Sequence, residues 1–73
     1  DTKTRLQELC ARTGHQAPVY AVEGEGPDHE RIFTARVLIN QRAWGSGVGR
    51  TKKAAEQLAA AAAYDALVAY DNA

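Results

Sequence analysis

The stretch GSGVGRTKKAAE, residues 45–56, changes from strand to helix within a few positions. Its first half belongs to a strand, predicted over Arg42 to Val48, that two glycines weaken. Its second half opens a segment without glycine or proline, from Lys52 to Tyr70. Thr51 lies between the two and is a suitable N-cap, because its hydroxyl oxygen can accept a hydrogen bond from an amide of the first turn. The stretch therefore predicts a strand followed directly by a long helix.

This second helix is rich in alanine, which has the highest helix propensity of any residue. We predict that one of its faces packs in the core, with Leu58 and Leu67 beside it. The members of that face are Ala55, Ala59, Ala62, Ala66 and Tyr70. A face of small side chains allows close approach to a sheet or to another helix, because little volume has to be displaced.

Two further strands are predicted upstream. The first covers Val19 to Val22 and ends in the turn-forming residues 24–28, GEGPD. The second covers Arg31 to Asn40 and alternates with a period of two, which is typical of a strand with one buried face. Its predicted buried residues are Phe33, Ala35, Val37 and Ile39. A tight turn at residues 40–41 would connect it to the third strand.

A first helix is predicted over residues 2–13, with Asp1 as its N-cap and Gly14 as its terminator. Leu6, Leu9, Cys10 and Thr13 recur at helical spacing and form its apolar stripe. The order helix, three strands, helix predicts a single α+β domain over residues 1–73. Its three-stranded sheet is antiparallel, and both helices pack on one face of that sheet.

The charge of the chain is balanced, with nine Lys and Arg against nine Asp and Glu. A net charge of zero argues against nucleic acid or an anionic membrane as partner. The charges are nevertheless separated along the chain, because acids cluster within residues 23–30 and cations at Arg50, Lys52 and Lys53. The sum therefore does not exclude a local site for an anion.

Catalytic and metal sites find little support. Cys10, His15 and His29 lack a third group to orient a nucleophile and are too few for zinc. We expect a buried structural thiol and two surface histidines. The acids of residues 23–30 lack the ligand spacing of a calcium loop. We therefore expect no catalytic residue and no metal ligand.

The glycine-rich stretch also differs from nucleotide-binding loops. It lacks the Gly-Lys-Ser/Thr end of a Walker A loop, and Arg50 replaces the third glycine of the dinucleotide pattern. Lys52 and Lys53 are placed where a helix dipole disfavours cations. This placement favours a bound anion, and a repeating one such as a phosphate backbone suits three adjacent cations.

Three stretches in this order resemble the double-stranded RNA-binding domain: residues 3–8, KTRLQE; residues 26–29, GPDH; and the glycine-rich and basic residues 45–60. The resemblance covers essentially the whole chain. Within the family, the opening residues and the Ala-Glu pair after the lysines look most like the C-terminal domain of bacterial ribonuclease III.

The resemblance implies three groups of RNA contacts that together span about 16 base pairs. Thr4, Gln7 and Glu8 would meet one minor groove, and Pro27 and His29 the next. Arg50, Thr51, Lys52 and Lys53 would contact phosphates across the intervening major groove. The chain departs from the family at Glu56, where many members carry a third lysine, and at Ala11, which has no polar group.

The chain is predicted to bind A-form double-stranded RNA by its shape. By itself it is not expected to be an enzyme. We expect the chain to be a fragment of ribonuclease III, a cytoplasmic enzyme. Magnesium is expected only in the nuclease domain, which is absent here, so the RNA-binding domain needs no cofactor. The domain would be monomeric, the parent enzyme could be a homodimer, and no membrane is involved. The alternative is a related protein-interaction module that binds RNA weakly or not at all.

Overall fold

The computed structural model describes all 73 residues and confirms the predicted order of helix, three strands and helix. The elements are α1 (Thr2–Arg12), β1 (Val19–Glu25), β2 (Ile32–Ile39), β3 (Arg42–Gly49) and α2 (Lys52–Asp71), with a short 3-10 helix (Asp28–Glu30) between β1 and β2. The strands form an antiparallel sheet in the order β1-β2-β3. Neither α1 nor α2 combines the length and the apolar character that a membrane-spanning helix needs.

Helix α1 begins at Thr2 as predicted and ends at Arg12, one residue before the predicted end. The Asp1 carboxylate accepts a hydrogen bond from the amide of Lys3, and Gly14 follows the helix with a φ of 77°. The buried stripe consists of Leu6, Leu9 and Cys10. Thr13 was wrongly assigned to this stripe, because it is exposed and its hydroxyl donates to the Leu9 carbonyl instead.

Strand β1 is longer than predicted, because two residues assigned to the turn belong to the strand. Gly24 pairs with Phe33, and Glu25 pairs with Ile32. A Cβ at Gly24 would lie 2.7 Å from the Arg31 Nε and 2.9 Å from the Phe33 ring. This glycine therefore serves close packing within the sheet, and the chain turns only at residues 26–27.

Strand β2 confirms the predicted alternation. Ala35, Val37 and Ile39 are buried on the face towards the helices, and Phe33 is partly buried with them. The predicted turn at residues 40–41 is also confirmed, since both residues have positive φ values of 53° and 68°. Two consecutive residues with positive φ are typical of a type I′ turn, which matches the twist of the strands it connects.

Strand β3 lies directly against α2 through its glycines. A Cβ at Gly47 would lie 2.6 Å from both the Ala55 carbonyl oxygen and the Ala59 amide nitrogen. A Cβ at Gly45 would collide with the backbone of Ala63. Strand and helix therefore pack backbone to backbone. Any side chain at the β3 glycines, or one larger than alanine on this face of α2, would prevent this contact.

The buried face of α2 differs from the predicted one. Leu58 and Tyr70 are more than half exposed, and Ala62 is exposed as well. The buried residues are Ala55, Ala59, Ala60, Ala63 and Leu67. The β3 glycines lie over a row of residues spaced by four. This contact buries Ala55 and Ala59 as predicted, and the row then continues to Ala63 and not to Ala62 and Ala66.

Helix α1 lies beside α2 on the same side of the sheet. Its Cα atoms are all more than 8 Å from those of the strands, whereas α2 approaches all three strands. The buried side chains of α1 complete a single core of eleven residues, with Tyr20 of β1 packed against it. The prediction that both helices cover one face is confirmed.

Two titratable side chains lie where α1 packs against the rest of the core. Burial, with a contribution from Asp71, raises the pKa of the Cys10 thiol. Burial also raises the pKa of the Tyr20 hydroxyl, with contributions from Glu56 and Cys10. Both groups are thus held in their neutral forms by the fold.

A substitution of Gly47 tests the contact between β3 and α2. We expect Gly47→Ala to lower the free energy of unfolding by about 1–3 kcal/mol or more, because the new methyl meets backbone atoms that cannot move alone. Urea unfolding measures this change. Ser46→Ala, on the open face of the same strand, is the control and should stay within about 0.5 kcal/mol of the parent. Equal effects of the two substitutions would contradict the packing described.

Alkaline titration tests the burial of Cys10. An unfolded cysteine loses its proton near pH ~8.5. Above that pH the folded state keeps a proton that the unfolded state has lost, so the free energy of unfolding falls as pH rises. We expect this fall to begin at about pH 8.5 in the parent and the profile to be flatter in Cys10→Ala, measured by urea unfolding under reducing conditions. Identical slopes would contradict the raised pKa.

Candidate nucleic-acid interface

The two helices run side by side in the same direction. Near their N-termini, Lys3 Nζ lies 2.6 Å from Glu56 Oε1. Beyond the C-terminus of α1, His15 Nε2 lies 3.3 Å from Asp71 Oδ1 near the end of α2. The first turns of both helices are therefore at the same end of the domain. His15 is partly buried, and His29 is exposed.

The first turns of α1 present the predicted polar residues to solvent. Thr4, Gln7 and Glu8 are exposed and lie three and four positions apart, so they share one face of the helix. None of their side chains takes part in a hydrogen bond or ion pair within the domain. Their donors and acceptors are free for a ligand.

The start of α2 carries three exposed cations. Arg50, Lys52 and Lys53 have no ion pair and no aromatic ring beneath them. Thr51 accepts a hydrogen bond from the Ala54 amide at 3.0 Å, which confirms it as the N-cap. Its predicted contact with RNA stays a prediction beside this structural role.

Most of the other cations differ from this cluster because they lie against an acidic group or an aromatic ring. Five of them lie against an acid or an aromatic ring: Lys3, Arg5, Arg31, Arg36 and Arg42. Arg12 is the one other cation without such a partner. Most of the positive charge of the chain is thus neutralised or stacked locally, and the start of α2 is where unpaired cations concentrate.

The loop between β1 and β2 is held in one shape. Gly26 has a φ of 95°, and a Cβ there would lie 3.0 Å from the Glu30 carbonyl oxygen. The Glu30 amide donates to the Pro27 carbonyl at 2.9 Å, closing the short 3-10 helix. The Arg31 guanidinium donates to the Gly26 carbonyl across the loop at 3.3 Å. The loop presents His29 to solvent without a hydrogen-bond partner.

A shallow groove of about 590 Å³ connects this loop to the start of α2. His29, Phe33 and Arg50 are among the residues that line it. Asp28 and Glu30 also line it, so acidic groups flank His29 as the sequence predicted. The structure thus brings the second and third predicted groups together at one edge of the domain.

Two residues at the interface carry contacts that the sequence analysis did not assign. Lys3 reaches α2, and Arg31 braces the loop that carries His29. The position of Lys3 could have been inferred, because it lies three residues before Leu6 and seven before Cys10, on the edge of the buried stripe. The bracing role of Arg31 depends on the loop conformation and has no sequence signal.

The structure contains no group of three or more His, Cys, Asp or Glu side chains that could hold a metal ion. The predicted site residues offer hydrogen-bonding groups and cations. Exposed amide, carboxylate and hydroxyl groups lie on α1, an imidazole lies on the loop, and ammonium and guanidinium groups lie at the start of α2.

Comparison with known proteins places these features in a family. Residues 2–67 match the family model described as double-stranded RNA binding motif. Ribonuclease 3 of Mycobacterium tuberculosis is 58% identical over 73 residues, covering 100% of this chain and 30% of that protein. Ribonuclease 3 of Streptomyces coelicolor is 50% identical over 64 residues, covering 88% of this chain and 23% of that protein. The chain thus spans less than a third of the length of these relatives.

Solved structures agree with the fold. A structure of Arabidopsis HYL1, described with its implications for miRNA processing, superposes with a TM-score of 0.81 at 37% identity. It covers 92% of this chain and 96% of that one. The solution structure of the first such domain of DRB4 gives a TM-score of 0.79 at 34% identity, covering 90% and 93% of the two chains.

Proposed function

The chain belongs to the family of double-stranded RNA-binding motifs, and on that premise we propose that it binds A-form duplex RNA by shape. The observation that carries the proposal is the cluster of unpaired cations at the start of α2, with polar surfaces on either side. Duplex RNA presents the matching surface, in which phosphates of a major groove separate two shallow minor grooves.

Each group has a chemical task on such a duplex. Gln7 can donate and accept hydrogen bonds, and the carboxylate of Glu8 can accept one from a 2′-hydroxyl in the minor groove. Thr4 adds a hydroxyl to the same face. His29, with Pro27 beside it in the braced loop, would enter the next minor groove. These contacts read the sugar and the shape of the duplex, so little base preference is expected.

The basic group would supply most of the affinity. Lys52 and Lys53 are flexible point charges that suit phosphates, and Arg50 extends the cluster towards the loop. Neutralising phosphates releases counterions, so binding would weaken as salt rises. Since the cluster holds only three cations, the affinity should be moderate and sensitive to salt.

The similarity to ribonuclease 3 supports a role in a larger enzyme. We propose that this domain raises substrate affinity for a separate nuclease part, and that the chain does not cleave RNA alone. Magnesium would serve that nuclease part, leaving this domain without a cofactor. A monomeric domain within a cytoplasmic enzyme, which could be a homodimer, fits this role.

Substitution of both lysines tests the phosphate contacts. We expect Lys52→Ala with Lys53→Ala to weaken binding to duplex RNA and to reduce the dependence of log K on log salt by roughly 1 per lysine. A titration of duplex RNA at several salt concentrations measures both quantities.

Arg36→Ala is the matched control, because Arg36 lies on the open face of the sheet beside Glu23. It also removes a positive charge, but it should leave the salt dependence unchanged. If the lysine variant bound duplex RNA as tightly as the parent, or if the control lost as much slope, the phosphate assignment would be wrong.

A further inference from the structure

Three elements of the fold meet at the side chain of Lys3. Its ammonium nitrogen lies 2.6 Å from the Glu56 carboxylate of α2 and 4.5 Å above the centre of the Tyr20 ring of β1. The Glu56 side chain is 21% exposed, and that of Lys3 is 37% exposed, so both are partly shielded from water. We call Lys3, Tyr20 and Glu56 the junction.

The junction matters because it holds the shortest polar contact between α1 and α2. Two others are longer: Arg5 lies 4.8 Å above the Tyr64 ring, and His15, just beyond α1, lies 3.3 Å from Asp71. The Cα atoms of α1 lie more than 8 Å from every strand, and it packs on α2 through three buried side chains. Apolar contacts are not directional, so on their own they fix the position of α1 along α2 less tightly than an ion pair does. The ion pair, together with a weaker bond from Gln57 to Asp1 at 3.1 Å, links the first turn of α1 to a defined position on α2.

We propose that Lys3 and Glu56 are positioning residues for RNA binding: their ion pair, seated on Tyr20, sets the placement of the polar face of α1 relative to the basic start of α2. The inference rests on the proposed function, since it concerns how two of its contact groups are spaced. A domain that reads shape needs its minor-groove and phosphate contacts at a fixed separation.

The ion pair with Lys3 gives Glu56 a structural role in addition to its negative charge. Glu56 lies four residues after Lys52, one helical turn beyond the basic cluster. If Glu56 acted only through its charge, removing that charge next to the basic cluster would strengthen binding to a polyanion. The junction predicts the opposite sign, because losing the carboxylate releases Lys3 and loosens α1.

The test measures affinity for a duplex RNA of about 16 base pairs, long enough for all three contact groups, at several salt concentrations. We expect Glu56→Gln and Lys3→Met each to lower affinity about three- to tenfold, and the double variant to be no weaker than the weaker single variant. The slope of log K against log salt should equal that of the parent in every case, because neither residue contacts a phosphate.

Conservative and matched variants separate positioning from charge. Lys3→Arg keeps a cation over the ring and should bind within about twofold of the parent, since an arginine also pairs with a carboxylate. Asp65→Asn, on an exposed part of α2, and Arg36→Met, on the open face of the sheet, remove the same charges away from the junction. Both should bind as the parent does.

Several results would overturn the inference. Affinity that is unchanged or higher in Glu56→Gln would show that the residue acts by charge or not at all. A salt slope that falls by about 1 in Lys3→Met would make Lys3 a direct phosphate contact. Additive losses in the double variant would show that the two residues act separately.

A second measurement needs no RNA and separates this inference from the proposed function. Residual dipolar couplings of backbone amides report the angle between α1 and α2 in the free domain. We expect that angle to shift or to become averaged in Glu56→Gln and Lys3→Met but to stay as in the parent in Lys3→Arg. If the parent failed to bind RNA, the proposed function would be wrong, and an unchanged angle in all variants would independently overturn the junction.

Discussion

The close approach of β3 to α2 is the constraint on which the rest of the structure depends. A Cβ at Gly47 would lie 2.6 Å from backbone atoms of Ala55 and Ala59, so only a strand of glycines facing a helix of alanines can form this contact. The contact determines which row of α2 is buried, and it places Lys52 directly beyond the end of the sheet. Helix α1 then packs on α2, and the loop that carries His29 lies beside Arg50. The interface is thus arranged by a contact that contains none of its residues.

Much of this fold can be predicted from local chemistry. Caps at Asp1 and Thr51, the alternation in β2 and the turn at residues 40–41 are each specified by residues close in sequence. The wrong predictions concern residues whose conformation or burial depends on residues distant in the sequence. Gly24 looks like a turn residue but makes room for Arg31 and Phe33 within the sheet. The buried row of α2 could not be chosen from alanine spacing alone, because every face of that helix contains alanine.

The candidate site follows the same division. The exposed groups on α1, the loop and the start of α2 were predicted by residue type and by resemblance. The pairing of Lys3 with Glu56 was not, because the two residues are 53 positions apart and each looks like an ordinary surface charge. The net charge of zero likewise hides how the cations are distributed. Five of them lie against acids or aromatic rings, and the unpaired ones concentrate at the start of α2.

The central claim is that the domain recognises the shape and sugar of duplex RNA and not merely its charge. The most direct test is a titration of the domain with duplex RNA, duplex DNA and single-stranded RNA of matched length and sequence at about 0.15 M salt. We expect duplex RNA to bind most tightly, because DNA lacks the 2′-hydroxyl and the A-form groove, and a single strand lacks the groove spacing. Equal affinity for duplex RNA and duplex DNA would contradict this claim, and so would the absence of binding to all three.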